Sequence, residues 1–160
     1  MADLNETCRS VVLPLRTVAD RAGVRIVLKL DDDLPPLEFD RRQMYNALYN
    51  LVNNALPETP TGGTVALITL APGKPGGDIQ QVTIQVRDTG RGMPEAVRLR
   101  LFTDHAISTK PGGTGLGTRI VAGVIRRHNG RIAVQSEPGK GTMFTIRLPL
   151  HQEKTIPALL

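Results

Sequence analysis

The sequence contains few of the residues that cross-link or mark specialised folds. Its 160 residues include one cysteine, Cys8, no tryptophan, two tyrosines and three phenylalanines. A single cysteine excludes an internal disulfide and a zinc site built from thiolates, and it gives no indication of an oxidising compartment. A chain of this length buries roughly two-thirds of its unfolded surface, so it can form a core without such supports. We therefore expect one compact domain.

Long apolar runs are missing as well. No segment approaches the ~20 consecutive apolar residues that a membrane span requires. The first residues, 1–6, also lack the basic and apolar regions of a signal peptide. The sequence predicts a cytoplasmic domain that makes no membrane contact of its own.

Positive charge exceeds negative charge, but it is spread along the chain. There are 20 Lys and Arg against 15 Asp and Glu, a net charge of +5. Residues 1–80 hold 8 basic and 10 acidic side chains, whereas residues 81–160 hold 12 and 5, so the halves carry −2 and +7. Because only 3% of the residues are aromatic and no Lys/Arg run exceeds two, we expect no nucleic-acid binding. The positive half would suit the phosphates of a small ligand.

Apolar periodicity predicts the secondary structure. Spacings of three and four residues predict helices over residues 4–22, 41–56, 94–102 and 116–128. We expect a kink at Pro14 in the first helix, and Pro57 and Pro60 to end the second. Alternating apolar and β-branched residues predict strands over residues 24–30, 64–70, 81–87, 130–135 and 142–149. These elements predict an α+β fold, a two-layer sandwich whose mixed sheet of about five strands is covered by helices on one face.

Four asparagines within nine residues form the first polar cluster, on the second predicted helix. They are Asn46, Asn50, Asn53 and Asn54. Asparagine is a mediocre helix former, so the cluster is costly unless the amides have partners. One interpretation is a polar face in solvent. The other is a binding face, which the neighbouring apolar residues 51, 52 and 55 favour because they place it beside a core.

The second cluster, Asp88 to Met93, follows an apolar strand. An aspartate before two glycines can simply form a turn. Alternatively, Gly90 and Gly92 allow a flat ligand to approach the backbone while the carboxylate of Asp88 accepts a hydrogen bond from it. The amino group of adenine is such a donor, whereas guanine has a carbonyl at that position and would be repelled.

The third cluster, Gly112 to Gly117, places four glycines at the start of a predicted helix. Exposed backbone N–H groups and the helix dipole make a helix N-terminus attractive to anions. Lys110 adds a cation suited to a terminal phosphate. The segment lacks the Gly-Lys-Ser/Thr of a P-loop and the strand-glycines-helix order of a dinucleotide-binding fold.

In this order and spacing, the three clusters resemble the ATP-binding domain of sensor histidine kinases and of the related gyrase, Hsp90 and MutL ATPases. The resemblance runs from about Asp3 to Leu150. Its motifs are an asparagine box at 50–55, a first glycine box at 88–92, a phenylalanine box at 101–102, a second glycine box at 112–117, and a kinase-like ending over 127–149. It implies the Bergerat-type ATP-binding fold.

The resemblance also implies roles for individual residues. Asn54 would bind the Mg²⁺ that bridges the phosphates of ATP, with Asn50 nearby, and Asp88 would accept from the adenine amino group with the help of Gly92 and a water. Residues 103–114 would form a lid over the nucleotide. The implied catalytic residues are Asn50, Asn54 and Lys110. The implied ATP-binding residues are Asn50, Asn54, Asp88, Gly90, Gly92, Met93, Phe102, Lys110, Gly113, Thr114, Gly115, Leu116 and Gly117.

One position separates kinases from hydrolases in this resemblance. Relatives that hydrolyse ATP carry a glutamate four residues before the Mg²⁺-binding asparagine, and here that residue is Asn50, which cannot act as a general base. The chain is therefore expected to pass the γ-phosphoryl group to a histidine on a separate helical hairpin, mainly by positioning and electrostatics. The implied partners are that dimerisation and phosphoacceptor hairpin and a downstream response regulator.

The implied organisation is a helix at 1–23 leading from the hairpin, the catalytic domain at 24–150 and a tail at 151–160. We expect the chain to be a monomer in isolation. It would either form the cytoplasmic part of a larger membrane-bound or soluble sensor or be a separate protein. Two alternatives stay open: a serine protein kinase of the anti-sigma type, and a docking module that binds a nucleotide without catalysis. The family commonly has Lys and Tyr where this chain has Pro57 and Glu58. None of the three histidines, at 105, 128 and 151, is expected to be phosphorylated.

Overall fold

The computed structural model describes residues 2–101 and 116–151, with the backbone alone at Leu116 and Gly117. The helices are α1 (Leu4–Val12), α2 (Arg16–Ala22), α3 (Arg41–Glu58), α4 (Glu95–Arg98) and α5 (Leu116–Arg127). The strands are β1 (Arg25–Lys29), β2 (Thr64–Leu70), β3 (Val82–Asp88), β4 (Arg131–Glu137) and β5 (Gly141–Leu148). No helix within the described ranges has both the length and the apolar character needed to cross a bilayer.

The strands form one mixed sheet in the order β1-β2-β3-β5-β4. The β1–β2 pair is parallel, and the other three pairs are antiparallel. Side chains on one face of this sheet, such as those of Val65, Ile84 and Ile146, are buried in a core that they share with α1, α3 and α5. The predicted α+β arrangement, a mixed five-stranded sheet with helices on one face, is confirmed.

The first predicted helix is interrupted where its proline lies. A 3₁₀ turn at Leu13–Leu15 separates α1 from α2, as expected from the missing N–H of Pro14. The inner side of α1 packs against α3, and Cys8 on that side is completely buried. Burial raises the pKa of the Cys8 thiol to about 12, so this cysteine is an unreactive part of the core.

Helix α3 carries the asparagines and is held at both ends. At its start, the Asp40 side chain accepts a hydrogen bond from the Gln43 N–H at 2.9 Å. The prediction that Pro57 ends the helix is wrong, because α3 continues to Glu58. Proline in the last turn leaves only the carbonyl of Asn53 without its helical donor, and Asn53 is exposed to water. The hydroxyl of Thr59 donates to the Ala55 carbonyl at 2.8 Å and so satisfies part of the helix end.

The predicted helix from Pro94 to Phe102 is shorter in the structure. Regular α-helix extends over Glu95–Arg98, and the chain then continues in tighter turns. The N–H groups of Arg100 and Leu101 donate to carbonyls three residues earlier rather than four. The remaining part of this prediction, including Phe102, lies outside the described residues.

Candidate functional site

Asp88 is a buried carboxylate at the end of β3. The residue is 7% exposed and lies on the helix-covered side of the sheet. One oxygen, Oδ1, accepts hydrogen bonds from the N–H of Gly90 at 2.8 Å and from the N–H of Thr142 at 3.3 Å. Among the described residues, the other oxygen, Oδ2, accepts none. The carboxylate is thus fixed in orientation while one oxygen can still accept from a ligand.

The surroundings of Asp88 favour a ligand that donates a hydrogen bond. Burial raises the pKa of Asp88, and the nearby carboxylate of Glu58 raises it further, whereas the bonds from Gly90 and Thr142 oppose the rise. A buried, charged carboxylate has lost hydrogen bonds to water that the protein replaces only in part. A new N–H donor therefore stabilises it strongly. The site therefore suits a neutral donor such as an aromatic amino group.

The loop after Asp88 needs its glycines for packing of the backbone. A Cβ at Gly90 would overlap the carbonyl oxygen of Glu58, and one at Gly92 would overlap the carbonyl oxygen of Glu137. Gly92 also has φ of +69°, which favours glycine. These contacts give both glycines a structural role that the sequence did not reveal. Their predicted role in admitting a ligand stays a prediction.

Two hydroxyl residues that the sequence interpretation did not select hold this loop and Asp88 in place. Thr142 is the cross-strand partner of Asp88 and supplies one of its backbone donors. The Thr142 hydroxyl lies 2.8 Å from the hydroxyl of Ser136, and Ser136 in turn accepts from the N–H of Met93 at 2.8 Å. In the sequence, the feature that could have indicated this role is a Ser and a Thr on opposite sides of the β4–β5 turn. Their position beside Asp88 depends on the pairing of β3 with β5.

The four asparagines of α3 separate into two environments. Asn46 and Asn53 are exposed, whereas Asn50 and Asn54 are half-buried. The side chain of Asn50 donates to the Asn46 carbonyl at 2.8 Å, which orients its amide along the helix. Asn46 and Asn53 thus fit a polar face in solvent, and the binding role of Asn50 and Asn54 stays a prediction.

The half-buried asparagines lead along α3 toward the Asp88 loop. Asn50, Asn54 and Glu58 are spaced by four residues and share one face of the helix. Glu58, at its end, forms an ion pair with Arg91, and its carbonyl accepts from the Arg91 N–H at 3.2 Å. The Arg91 carbonyl then accepts from Gly139 N–H at 2.7 Å. Arg91 therefore joins α3, the Asp88 loop and the β4–β5 turn, and the first two predicted clusters belong to one connected unit.

Several predicted site residues lie outside the described ranges or have no described side chain. Leu116 and Gly117 begin α5, consistent with a helix after the glycine cluster, but their side chains are not described. The residues outside the described ranges are Phe102, Lys110, Gly113, Thr114 and Gly115, together with the predicted lid at 103–114 and His105.

His128 has a structural role in the fold. It is buried at the end of α5, where its Nε2 accepts from the Asp40 N–H at 2.9 Å and its Nδ1 lies 2.7 Å from the Val124 carbonyl. The ring therefore joins α5 to the start of α3 through hydrogen bonds.

Comparison with known proteins agrees with this geometry. Residues 39–152 match the family described as histidine kinase-, DNA gyrase B- and HSP90-like ATPase. The sensor protein DivL of Caulobacter vibrioides is 36% identical over 135 residues, which cover 84% of this chain and 17% of DivL.

Solved structures of histidine kinases share the fold. The catalytic domain of histidine kinase ThkA superposes with a TM-score of 0.78 at 26% identity and 93% coverage of both chains. Full-length ShkA in complex with AMPPNP gives a TM-score of 0.79 at 28% identity, covering 95% of this chain and 31% of ShkA. The chain thus spans less than a third of ShkA and a smaller part of DivL. It belongs to the histidine kinase-, DNA gyrase B- and HSP90-like ATPase family, with the fold of histidine kinase catalytic domains.

Proposed function

We propose that this chain is the ATP-binding catalytic domain of a sensor histidine kinase. It would hold Mg²⁺-ATP and donate the γ-phosphoryl group to a histidine on a separate helical hairpin, from which a response regulator is phosphorylated. The observation that carries the proposal is the buried Asp88, whose Oδ1 is fixed by two backbone N–H groups and whose Oδ2 is open to a donor. A cytoplasmic location, and a monomeric state without the hairpin, are parts of the same proposal.

Adenine is the ligand that this carboxylate fits. Its exocyclic amino group would donate to Oδ2 of Asp88, and the hydrogen bond would be strengthened by the charge and burial of the acceptor. The backbone donors of Gly90 and Thr142 would hold Asp88 in position before the nucleotide arrives. Little side-chain entropy would then be lost on binding.

The composition of α3 supports phosphoryl transfer over hydrolysis. Glu58 is the one acidic residue in this helix, and it is paired with Arg91. Asn50 occupies the place where hydrolysing relatives have their glutamate, and an amide does not accept a proton from water at neutral pH. A nucleophile supplied by a partner would thus compete well against water for the γ-phosphoryl group.

The available side chains suit a Mg²⁺ ion that is bound jointly by the protein and the nucleotide. In the described residues, no three His, Cys, Asp or Glu side chains are grouped as in a metal site made by protein alone. Mg²⁺ commonly takes one or two protein oxygens and completes its shell with water and phosphates, so the half-buried amide of Asn54 is a suitable protein ligand. When bound, the ion would neutralise charge on the phosphates.

Labelled ATP distinguishes this function from its alternatives. The chain is incubated with γ-labelled ATP and a panel of separately purified phosphoacceptor hairpins from sensor histidine kinases. We expect acid-labile label on the histidine of at least one hairpin, and slow ATP loss without a hairpin. Acid-stable label on a serine would instead indicate an anti-sigma-type serine kinase. ATP binding with no labelled acceptor across the panel would indicate a nucleotide-binding docking module.

Asn54→Ala should weaken binding of ATP about tenfold in the presence of Mg²⁺ and much less in the presence of a chelator. The reason is that the proposed contact of Asn54 is with the metal and not with adenine. Calorimetric titration under both conditions measures the difference. Asn53→Ala is the matched control, since Asn53 is exposed on the same helix. Equal losses with and without metal for Asn54→Ala would contradict the assignment.

A further inference from the structure

The sheet face away from the helices carries a set of cations that the nucleotide site does not use. Side chains alternate between the two faces along each strand, and the core residues occupy the helix-covered side. The alternate positions therefore form an opposite side, which we call the outer face. Its basic residues are Arg25, Lys29, Arg87, Arg131 and Arg147.

These cations are not held in ion pairs by the described residues. All five are exposed, and none has an ion pair or a side-chain hydrogen bond within residues 2–101 and 116–151. Within the strands, the outer face has one acidic residue, Glu137, which pairs with Lys140 at 3.0 Å. In the β2–β3 loop, Asp78 interacts with Arg147 through their charges without an ion pair. The outer face is thus clearly positive.

The strand register brings some of these charges close together. Arg131 and Arg147 are direct cross-strand partners on β4 and β5. Like charges at directly opposite positions destabilise a sheet, so this pair has a cost that a bound anionic group would offset. Three of the five cations come from the second half of the chain. That half's excess charge, which the sequence interpretation assigned to phosphates of a ligand, therefore lies partly on the side opposite Asp88.

The middle of the outer face has one arginine surrounded by apolar and neutral polar side chains. Arg87 lies on the central strand in one register row with Ala66 and Met143, and the next row contains Ile68, Gln85 and Thr145. Arginine next to apolar side chains is a composition typical of protein interfaces. Interface arginines also pair well with carboxylates because their guanidinium groups bind both oxygens.

We propose that the outer face is a docking surface for a protein partner whose contacting surface is rich in aspartate and glutamate. Charge complementarity favours such a partner over a second copy of this chain, since two positive faces repel. Nucleic acid and anionic membrane fit less well, because the described strand residues of the outer face include no aromatic ring to stack on bases or to anchor at a bilayer interface. The tyrosines belong to α3, Phe39 precedes α3, and Phe144 lies on the inner side of β5.

Charge reversal at matched positions tests this proposal. The probe is fluorescently labelled poly-L-glutamate of about 20 residues, titrated with the whole chain at low ionic strength, where such attraction is strongest. The double variant Arg87→Glu/Arg147→Glu reverses two outer-face charges. The control, Arg42→Glu/Arg126→Glu, makes the same change in net charge at two exposed helix positions. Thermal unfolding and ATP titration of both variants show whether fold and nucleotide site are intact.

We expect the outer-face variant to bind poly-glutamate at least about tenfold more weakly, and the control to stay within about twofold of the unaltered chain. Equal weakening in both variants would overturn the proposal, because attraction would then follow net charge alone. Absence of binding to the unaltered chain would overturn it too. Titrations with phosphatidylglycerol vesicles and with duplex DNA complete the comparison. If the chain binds either of these more tightly than poly-glutamate, and the outer-face variant loses that binding, the partner is a membrane or a nucleic acid and the proposal of an acidic protein is overturned. ATP binding does not enter these outcomes, so they are separate from the proposed kinase function.

Discussion

Asp88→Asn should lower the affinity of the chain for ATP at least about tenfold while leaving the fold intact. The amide nitrogen of asparagine would face the adenine amino group, so an attractive charge-assisted hydrogen bond of about 1.5 kcal/mol would be replaced by two opposed donors. Its amide oxygen can still accept from the N–H groups of Gly90 and Thr142. Calorimetric titration with ATP, ADP and GTP measures the loss, and we expect GTP to bind weakly before and after the change.

The same substitution should leave the free energy of unfolding unchanged or higher at neutral pH. Burial raises the pKa of Asp88 in the folded chain above its ordinary value of 3.8. Between the two pKa values the folded state binds more protons than the unfolded state, so stability decreases as pH rises through that window. Above the window the charged carboxylate costs stability in full, and asparagine removes that cost. The gain should shrink as pH is lowered toward 3.8 in urea unfolding experiments.

Asp32→Asn is the matched control for both measurements, because Asp32 is exposed and lies far along the chain from the site. It should leave both the ATP affinity and the free energy of unfolding at neutral pH unchanged. An unchanged ATP affinity in Asp88→Asn would remove the adenine assignment. A large loss of stability would show instead that the carboxylate supports the fold, and the loss of binding could then be indirect.

Gly141→Ala should destabilise the chain by at least about 3 kcal/mol. Gly141 has φ of +86°, and a Cβ there would overlap the backbone carbonyl oxygen of Asp88. Relief of this overlap requires β3 and β5 to separate at the point where the Thr142 N–H reaches the Asp88 carboxylate. We therefore expect weaker ATP binding as well, measured on protein that is still folded at low temperature.

Gly139→Ala in the same turn is the control that isolates the overlap. Gly139 has a similar φ of +79°, but a Cβ there meets no atom within 4 Å. The substitution should cost only the strain of the left-handed backbone, about 1–2 kcal/mol, and should leave ATP affinity unchanged. Equal destabilisation by the two substitutions would mean that backbone conformation alone determines the need for glycine at 141.

The sequence by itself determined the family, the element types and the residues worth testing. Local periodicity and glycine or asparagine clusters are properties of neighbouring residues, so they can be read without knowledge of the fold. The break in the first helix at Pro14 was predicted from such a local feature. The end of α3 was predicted wrongly, because proline in a last turn removes only the donor to the Asn53 carbonyl, and Asn53 is exposed.

Only the tertiary structure decided how these residues work together. Thr142 is 54 residues from Asp88 along the chain, and the Glu58–Arg91 pair spans 33 residues. Such contacts depend on strand order, and strand order depends on the summed burial of many apolar side chains rather than on any local pattern. The same holds for the outer face. Its five cations are scattered in sequence, and the sheet brings them to one side because alternate positions along paired strands point the same way.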